Sequence, residues 1–141
     1  MAKYVKPTLD TKFHVDFSWW QGEGKNLRAF LQGHVCSGCQ AETDEIQDEL
    51  FDWVDPETGR VFQIDTLWHV IHTGCQDDPE FFDSRVPLTS AIFRAFIANN
   101  NTPLTVEEIH ARIQKKSPDT ILRTVGKRVV YKGIKPVDTS L

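Results

Sequence analysis

Apolar positions recur along this chain with two different periods, and the switches between them predict its elements. In "KFHVDFSWW" Phe13, Val15 and Phe17 alternate with polar residues, which predicts a strand from Lys12 to Trp19. "GKNLRAFLQGHV" places Leu27, Phe30, Leu31 and His34 at helical spacing, so a helix is expected to run up to Cys36. Two apolar runs in "FDWVDPETGRVFQI" flank Asp55-Pro56-Glu57-Thr58-Gly59, whose Pro and Gly suit the turn of a β-hairpin. Asp65 is placed to cap a helix over "TLWHVIHTG", and Gly74 to end it.

The second half reads as three helices and a strand. "PLTSAIFRAFIANN" carries an apolar stripe of Ile92, Phe93, Phe96 and Ile97, with Thr89 as the expected cap, and "NNNTP" breaks the pattern. "LTVEEIHARIQKK" opens with a capping box of Thr105 and Glu108 and buries Ile109 and Ile113. Ser117 caps the third helix, "PDTILRTV", whose first residue is Pro118, where a missing N–H leaves no bond unmade. That helix stops at Gly126, and a β-prone run, "KRVVYKGIKPV", follows. The fold class expected from these elements is α+β.

Composition changes the picture mainly through charge. The chain has 141 residues, 40% of them apolar, with nine Phe and four Trp, so a packed core is expected and global disorder is not. The net charge of −4 hides a division. Residues 1–83 hold six Lys and Arg against sixteen Asp and Glu, whereas residues 84–141 hold ten against four. The sign changes within "DDPEFFDSRVPLT", which contains two prolines, so the boundary is drawn there: an acidic subdomain over 1–83 and a basic domain over 84–141. The start, "MAKYVKPTLD", lacks the apolar region of a signal peptide, and no apolar run approaches the ~20 residues of a bilayer span. A cytoplasmic protein without a membrane partner is expected.

The candidate chemistry lies in the three cysteines. Cys36 and Cys39 form C-x2-C, and His72 and Cys75 form H-x2-C further along. Two short-spaced pairs from separate segments are the usual source of the four donors of a tetrahedral Zn2+ site, and such a staple helps a small core. His34 and His69 stand behind His72 as the fourth ligand. A [2Fe–2S] cluster on the same donors is the alternative. A thioredoxin-like pair would need C-x2-C at a strand-to-helix junction, whereas here the pair follows a helix; without metal the cysteines would serve as small apolar residues. Three thiolates make a weak Lewis acid, and no deaminase, metalloprotease, G-x-S-x-G, Walker A or dinucleotide-binding pattern occurs, so no enzymatic role is expected.

From Pro87 onward the order helix, short "PLT" segment, capped helix, Ser/Pro-started helix and strand resembles a winged-helix domain over about 50 residues. The resemblance implies that the third helix enters the major groove. Ser117, Asp119, Thr120 and Arg123 would then face bases, Arg123 being suited to guanine, and Lys115, Lys116, Lys127, Arg128 and Lys132 would meet phosphates. The expected protein is a metal-stapled α/β subdomain followed by a winged-helix-like domain, acting as a DNA-associated regulator with structural zinc. One alternative is a protein-interaction subunit, docking a partner or a second copy through its acidic half or its tryptophans. The other is an iron–sulfur redox sensor.

Overall fold

The computed structural model describes residues 6–22, 26–39, 50–56, 58–127 and 130–137. The fold is mixed α+β, with six helices and two small antiparallel sheets among the described residues. Strand β1 spans Phe13–Val15 and gives way to helix α1, Phe17–Gly22, so the strand expected to reach Trp19 ends early. Asp16 makes the change, its Oδ1 accepting from the Ser18 N–H at 2.9 Å. Continued alternation would have sent Phe17 and Trp20 to opposite faces. Helical spacing buries both.

Helix α2, Leu27–Gln32, is capped by Asn26, whose Oδ1 accepts from the Ala29 N–H at 3.1 Å. It stops short of His34, and the chain reaches the cysteines through Gly33 and a 3-10 turn at Ser37–Cys39. The expected hairpin is present: β2, Leu50–Val54, pairs with β3, Val61–Asp65, in the register Trp53↔Phe62. Its turn closes when Asp55 N–H donates to Arg60 O at 2.8 Å, with Gly59 at φ 75°; Glu57 lies outside the described residues. Asp65 caps helix α3, Thr66–Gly74, accepting from the Leu67 N–H at 2.9 Å. The same carboxylate pairs with Arg28 at 3.1 Å, which ties α2 to α3.

Helix α4, Leu88–Ala98, starts after Pro87 without a side-chain cap, and Thr89 lies inside it rather than at its end. The capping box of Thr105 and Glu108 opens α5, Val106–Ile113, and Ser117 caps α6, Pro118–Val125. The β-prone tail forms β4, Ile134–Pro136, antiparallel to β1. Before β4 the chain reverses through Lys132 (φ 50°) and Gly133 (φ 80°), and Ile134 N–H donates to Tyr131 O at 2.9 Å. Positive φ at both central residues is the tight hairpin turn that matches strand twist. A Cβ on Gly133 would lie 2.9 Å from Trp20 Nε1, so packing as well as conformation selects glycine there.

The halves that charge divides at residue 83 share a sheet and a core. β1 comes from one and β4 from the other, and Phe13 exchanges two backbone hydrogen bonds with Leu104 at 2.8 and 3.0 Å. The polar break "NNNTP" clamps them together. Asn101 Oδ1 accepts from the Val15 N–H at 2.7 Å, and its Nδ2 donates to Val15 O at 2.8 Å, so a side-chain amide serves as a strand partner. Asn100 accepts from two indoles, through its carbonyl from Trp53 and through its side chain from Trp68. Beneath the clamp Trp68 meets Phe17 and Phe93 edge to face, at the centre of one aromatic core.

Candidate metal centre and basic helix

Two segments meet at one end of α3. Cys36 precedes the 3-10 turn and Cys39 ends it, and Cys75 follows the last turn of α3, its N–H donating to Ile71 O at 2.9 Å. The three sulfurs all lie within 4.8 Å of one another, close enough to hold one metal ion. Cys39 and Cys75 are buried, at 7% and 0% exposure, and Cys36 is half-buried. The backbone N–H of Cys36 donates to Cys75 Sγ at 3.2 Å, the kind of contact that favours a thiolate. Burial acts against it and pushes the Cys75 thiol up, with the side-chain hydrogen bond between the Cys75 and Cys36 sulfurs adding to that effect. A bound cation reverses this balance, because a coordinating thiol is deprotonated outright.

Gly74 has a different role from the one its position suggests. Helix α3 continues through it and Cys75 forms the cap in right-handed conformation, so no left-handed glycine ends this helix. A Cβ on Gly74 would stand 2.8 Å from Cys39 Sγ. The glycine clears space for a sulfur.

Of the histidines considered as fourth ligand, none brings a nitrogen into the three-sulfur group among the described residues. His72 Nδ1 lies 2.9 Å from Ile97 O, and since a carbonyl only accepts, Nδ1 carries the proton. His69 is exposed and rests against Phe51. His34 is buried beside Phe30 and Phe93, and its Nδ1 accepts from Arg94 Nε at 3.0 Å. Burial, with the neighbouring Arg94 charge, pushes the His34 pKa down to about 4, so the ring is neutral at physiological pH. Sequence reasoning missed Arg94. It stands on the predominantly apolar face of a helix, and nothing local marks it as a neighbour of the cysteines.

The basic face is built on α6. Ser117, Asp119, Arg123 and Lys127 are exposed, while Ile121 and Val125 are buried against the rest of the domain. The Ser117 hydroxyl accepts from the Thr120 N–H at 3.3 Å, and Arg123 Nη2 donates to Thr120 Oγ1 at 3.3 Å. The three side chains thus form a row along the helix. Lys116 is exposed at the turn into α6 with φ 56°, and Lys115 is half-buried. Lys132 Nζ sits 5.3 Å from the centre of the Phe30 ring, which directs it at the aromatic core rather than along α6. Arg128 lies outside the described residues. A groove of about 530 Å3 runs beside α6, and there Lys6 joins Arg123 and Lys127. Lys6 was hidden in the sequence because it belongs to the acidic half.

No helix among the described residues is long and apolar enough to cross a membrane. Comparison of the chain with family models, curated proteins and solved structures finds no match to any of them.

Proposed function

We propose that this protein is a non-enzymatic, DNA-associated regulator whose three-cysteine centre holds a structural zinc ion. The observation that carries the metal is the convergence of Cys36, Cys39 and Cys75 within 4.8 Å. A purely thiolate donor set fits zinc or an iron–sulfur cluster better than a hard cation. Zinc is favoured because the sulfurs are largely buried where two segments distant in sequence meet, and an ion there would link them. DNA as partner is supported by the groove beside α6, which gathers Lys6, Arg123 and Lys127 next to an exposed, Ser-capped helix. The capped pair α5 and α6, joined by a four-residue turn at 114–117, supports the reading by its likeness in element order to helix-turn-helix proteins, in which a second helix reads the major groove. Asp119 on the same face works against phosphate and favours the first turn of its own helix.

Two measurements test this reading. Metal analysis and the visible spectrum of protein purified anaerobically should give about one zinc per chain and no visible absorption. Iron with sulfide and a visible band would replace it with the redox-sensor reading. Binding to duplex DNA should weaken steeply with salt; Lys127→Ala should lower the salt slope by about 1, and Arg123→Ala should cost about 1–3 kcal/mol and relax sequence preference. Flat or absent binding at low salt would leave the interaction-subunit reading in its place.

A further inference from the structure

Arg94 makes no direct ion pair among the described residues; Asp83 and Cys75 are the acidic groups that act on its charge from further off. It projects from α4, half-buried, with Nε donating to His34 Nδ1 and Nη1 donating to Phe81 O, both at 3.0 Å. Its guanidinium lies 5.1 Å from the centre of the Phe81 ring. Among the described residues the ion pairs within 4.0 Å are Arg28–Asp65, Arg85–Asp83 and Lys135–Asp16, and none includes Arg94. A guanidinium has five N–H groups, and two are spoken for. Cations withdrawn from water normally meet an anion.

The space beside it leads to the sulfurs. A cavity of about 410 Å3 is lined by His34, Cys36, Phe81 and Arg94, and also by Glu80 and the paired Asp83 and Arg85. Cys36 is the least buried of the three cysteines and the one that lines this cavity. Arg94 and Cys36 thus face the same cavity. At the centre the chain offers three sulfurs and, among the described residues, no His, Asp or Glu donor beside them. Among the described residues, then, three thiolates would fill three of the four tetrahedral positions on a divalent ion, with a net charge of −1.

We propose that this fourth position takes a small molecule from solution, a thiol that also bears a carboxylate, with Arg94 holding the carboxylate in the cavity. The proposal rests on the reading that the three cysteines bind a metal. A sulfur donor matches the soft set already present, and a guanidinium fork matches a carboxylate. Such a thiol would release its proton to solvent and offer a thiolate to the fourth position, while Arg94 would offset the charge of its carboxylate.

The test uses the full chain loaded with Co2+, whose visible bands respond to the fourth ligand, titrated with mercaptoacetate and with 2-mercaptoethanol. Saturable band shifts are expected with both thiols, roughly tenfold tighter for mercaptoacetate, as one charge-assisted contact implies. In Arg94→Gln and in Arg94→Lys that preference should shrink toward parity. Equal affinities in the unaltered chain would overturn the role of Arg94 without any variant having to fold. Bands that neither thiol moves, with cobalt retained, would overturn the open position and leave the metal reading standing. Cobalt stripped by the thiols would likewise overturn the ternary complex. A chain that takes up no cobalt would overturn the metal reading and the proposal together.

Discussion

The cysteine end and the α5–α6 end of this molecule are built by opposite rules. The α5–α6 end is assembled from neighbours in sequence: Thr105 with Glu108, and Ser117 with Thr120. Each contact spans three residues, so the chain makes it wherever the helix starts. The cysteine end is assembled from distant pieces, such as the contact from the Cys36 N–H to Cys75 Sγ across 39 positions and that of Arg94 to His34 across 60. Local rules make a rigid, exposed helix on which charge can be displayed. Long-range contacts make a buried site whose donors are in place only when the whole core is formed. The difference teaches that the two ends should fail differently.

The sharpest break is Cys75→Ser. Where metal exceeds its dissociation constant by about a thousandfold, losing it removes about 4 kcal/mol of stability. Denaturant unfolding of the variant should match that of the unaltered chain stripped by a chelator, and chelator should no longer affect the variant. Unchanged metal content would remove the staple from the account.

Asn101→Ala comes next, because it leaves the N–H and carbonyl of Val15 without their side-chain partners. A loss of about 3 kcal/mol is expected, at the scale of two buried groups left unmade. Metal content at saturation should stay at one per folded chain, since the clamp belongs to the junction of the halves and not to the sulfurs. Metal loss without unfolding would show that the two regions are coupled more tightly than their contacts suggest.

Gly74→Ala should destabilise by about 2 kcal/mol, the scale of an overpacked core position, because the added methyl meets Cys39 Sγ. Its signature separates it from a helix-propensity effect: alanine at this site should weaken metal affinity, whereas propensity alone would stabilise the helix. A more stable variant with unchanged metal affinity would refute the packing role of this glycine.

The smallest effect belongs to the locally built end. Glu108→Ala removes half of the capping box and should cost about 0.5–1 kcal/mol. The backbone N–H of Thr105, donating to Glu108, holds its carboxyl below the usual carboxylate range. A depressed pKa stabilises the fold above the unfolded-state value, and the contribution fades as pH falls through the folded-state value. The stability gap between the unaltered chain and Glu108→Ala should therefore close on acidification through that window. A gap independent of pH would mean that the carboxylate charge plays no part in the cap.

The same division governs what was legible. The hairpin around Asp55 to Gly59, the caps at Asp65, Thr105 and Ser117, and the stop at Gly126 each depend on residues a few positions apart, and all could be read directly. The alternation from Phe13 to Phe17 misled because a period of two and a helical turn agree over so few residues, and Asp16 decided between them. "NNNTP" read only as a break, since nothing in the order of its residues says that Val15 needs an amide beside it.

By itself the sequence determined where helices begin, which cysteines pair at short spacing, and how charge divides along the chain. Those properties come from rotamers, caps and composition, which act over one or two turns. The grouping of Cys75 with Cys36 and Cys39 is expected from their spacing, but tertiary structure alone decided that His72 turns to Ile97 O instead of the sulfurs, that Gly74 yields its space to a sulfur, and that Arg94 stands beside Cys36 in one cavity. It also brought Lys6 from the acidic half to the basic helix. The physical reason is that burial and Coulomb interaction depend on distance in space, and only the closed core sets that distance for residues so far apart in the chain.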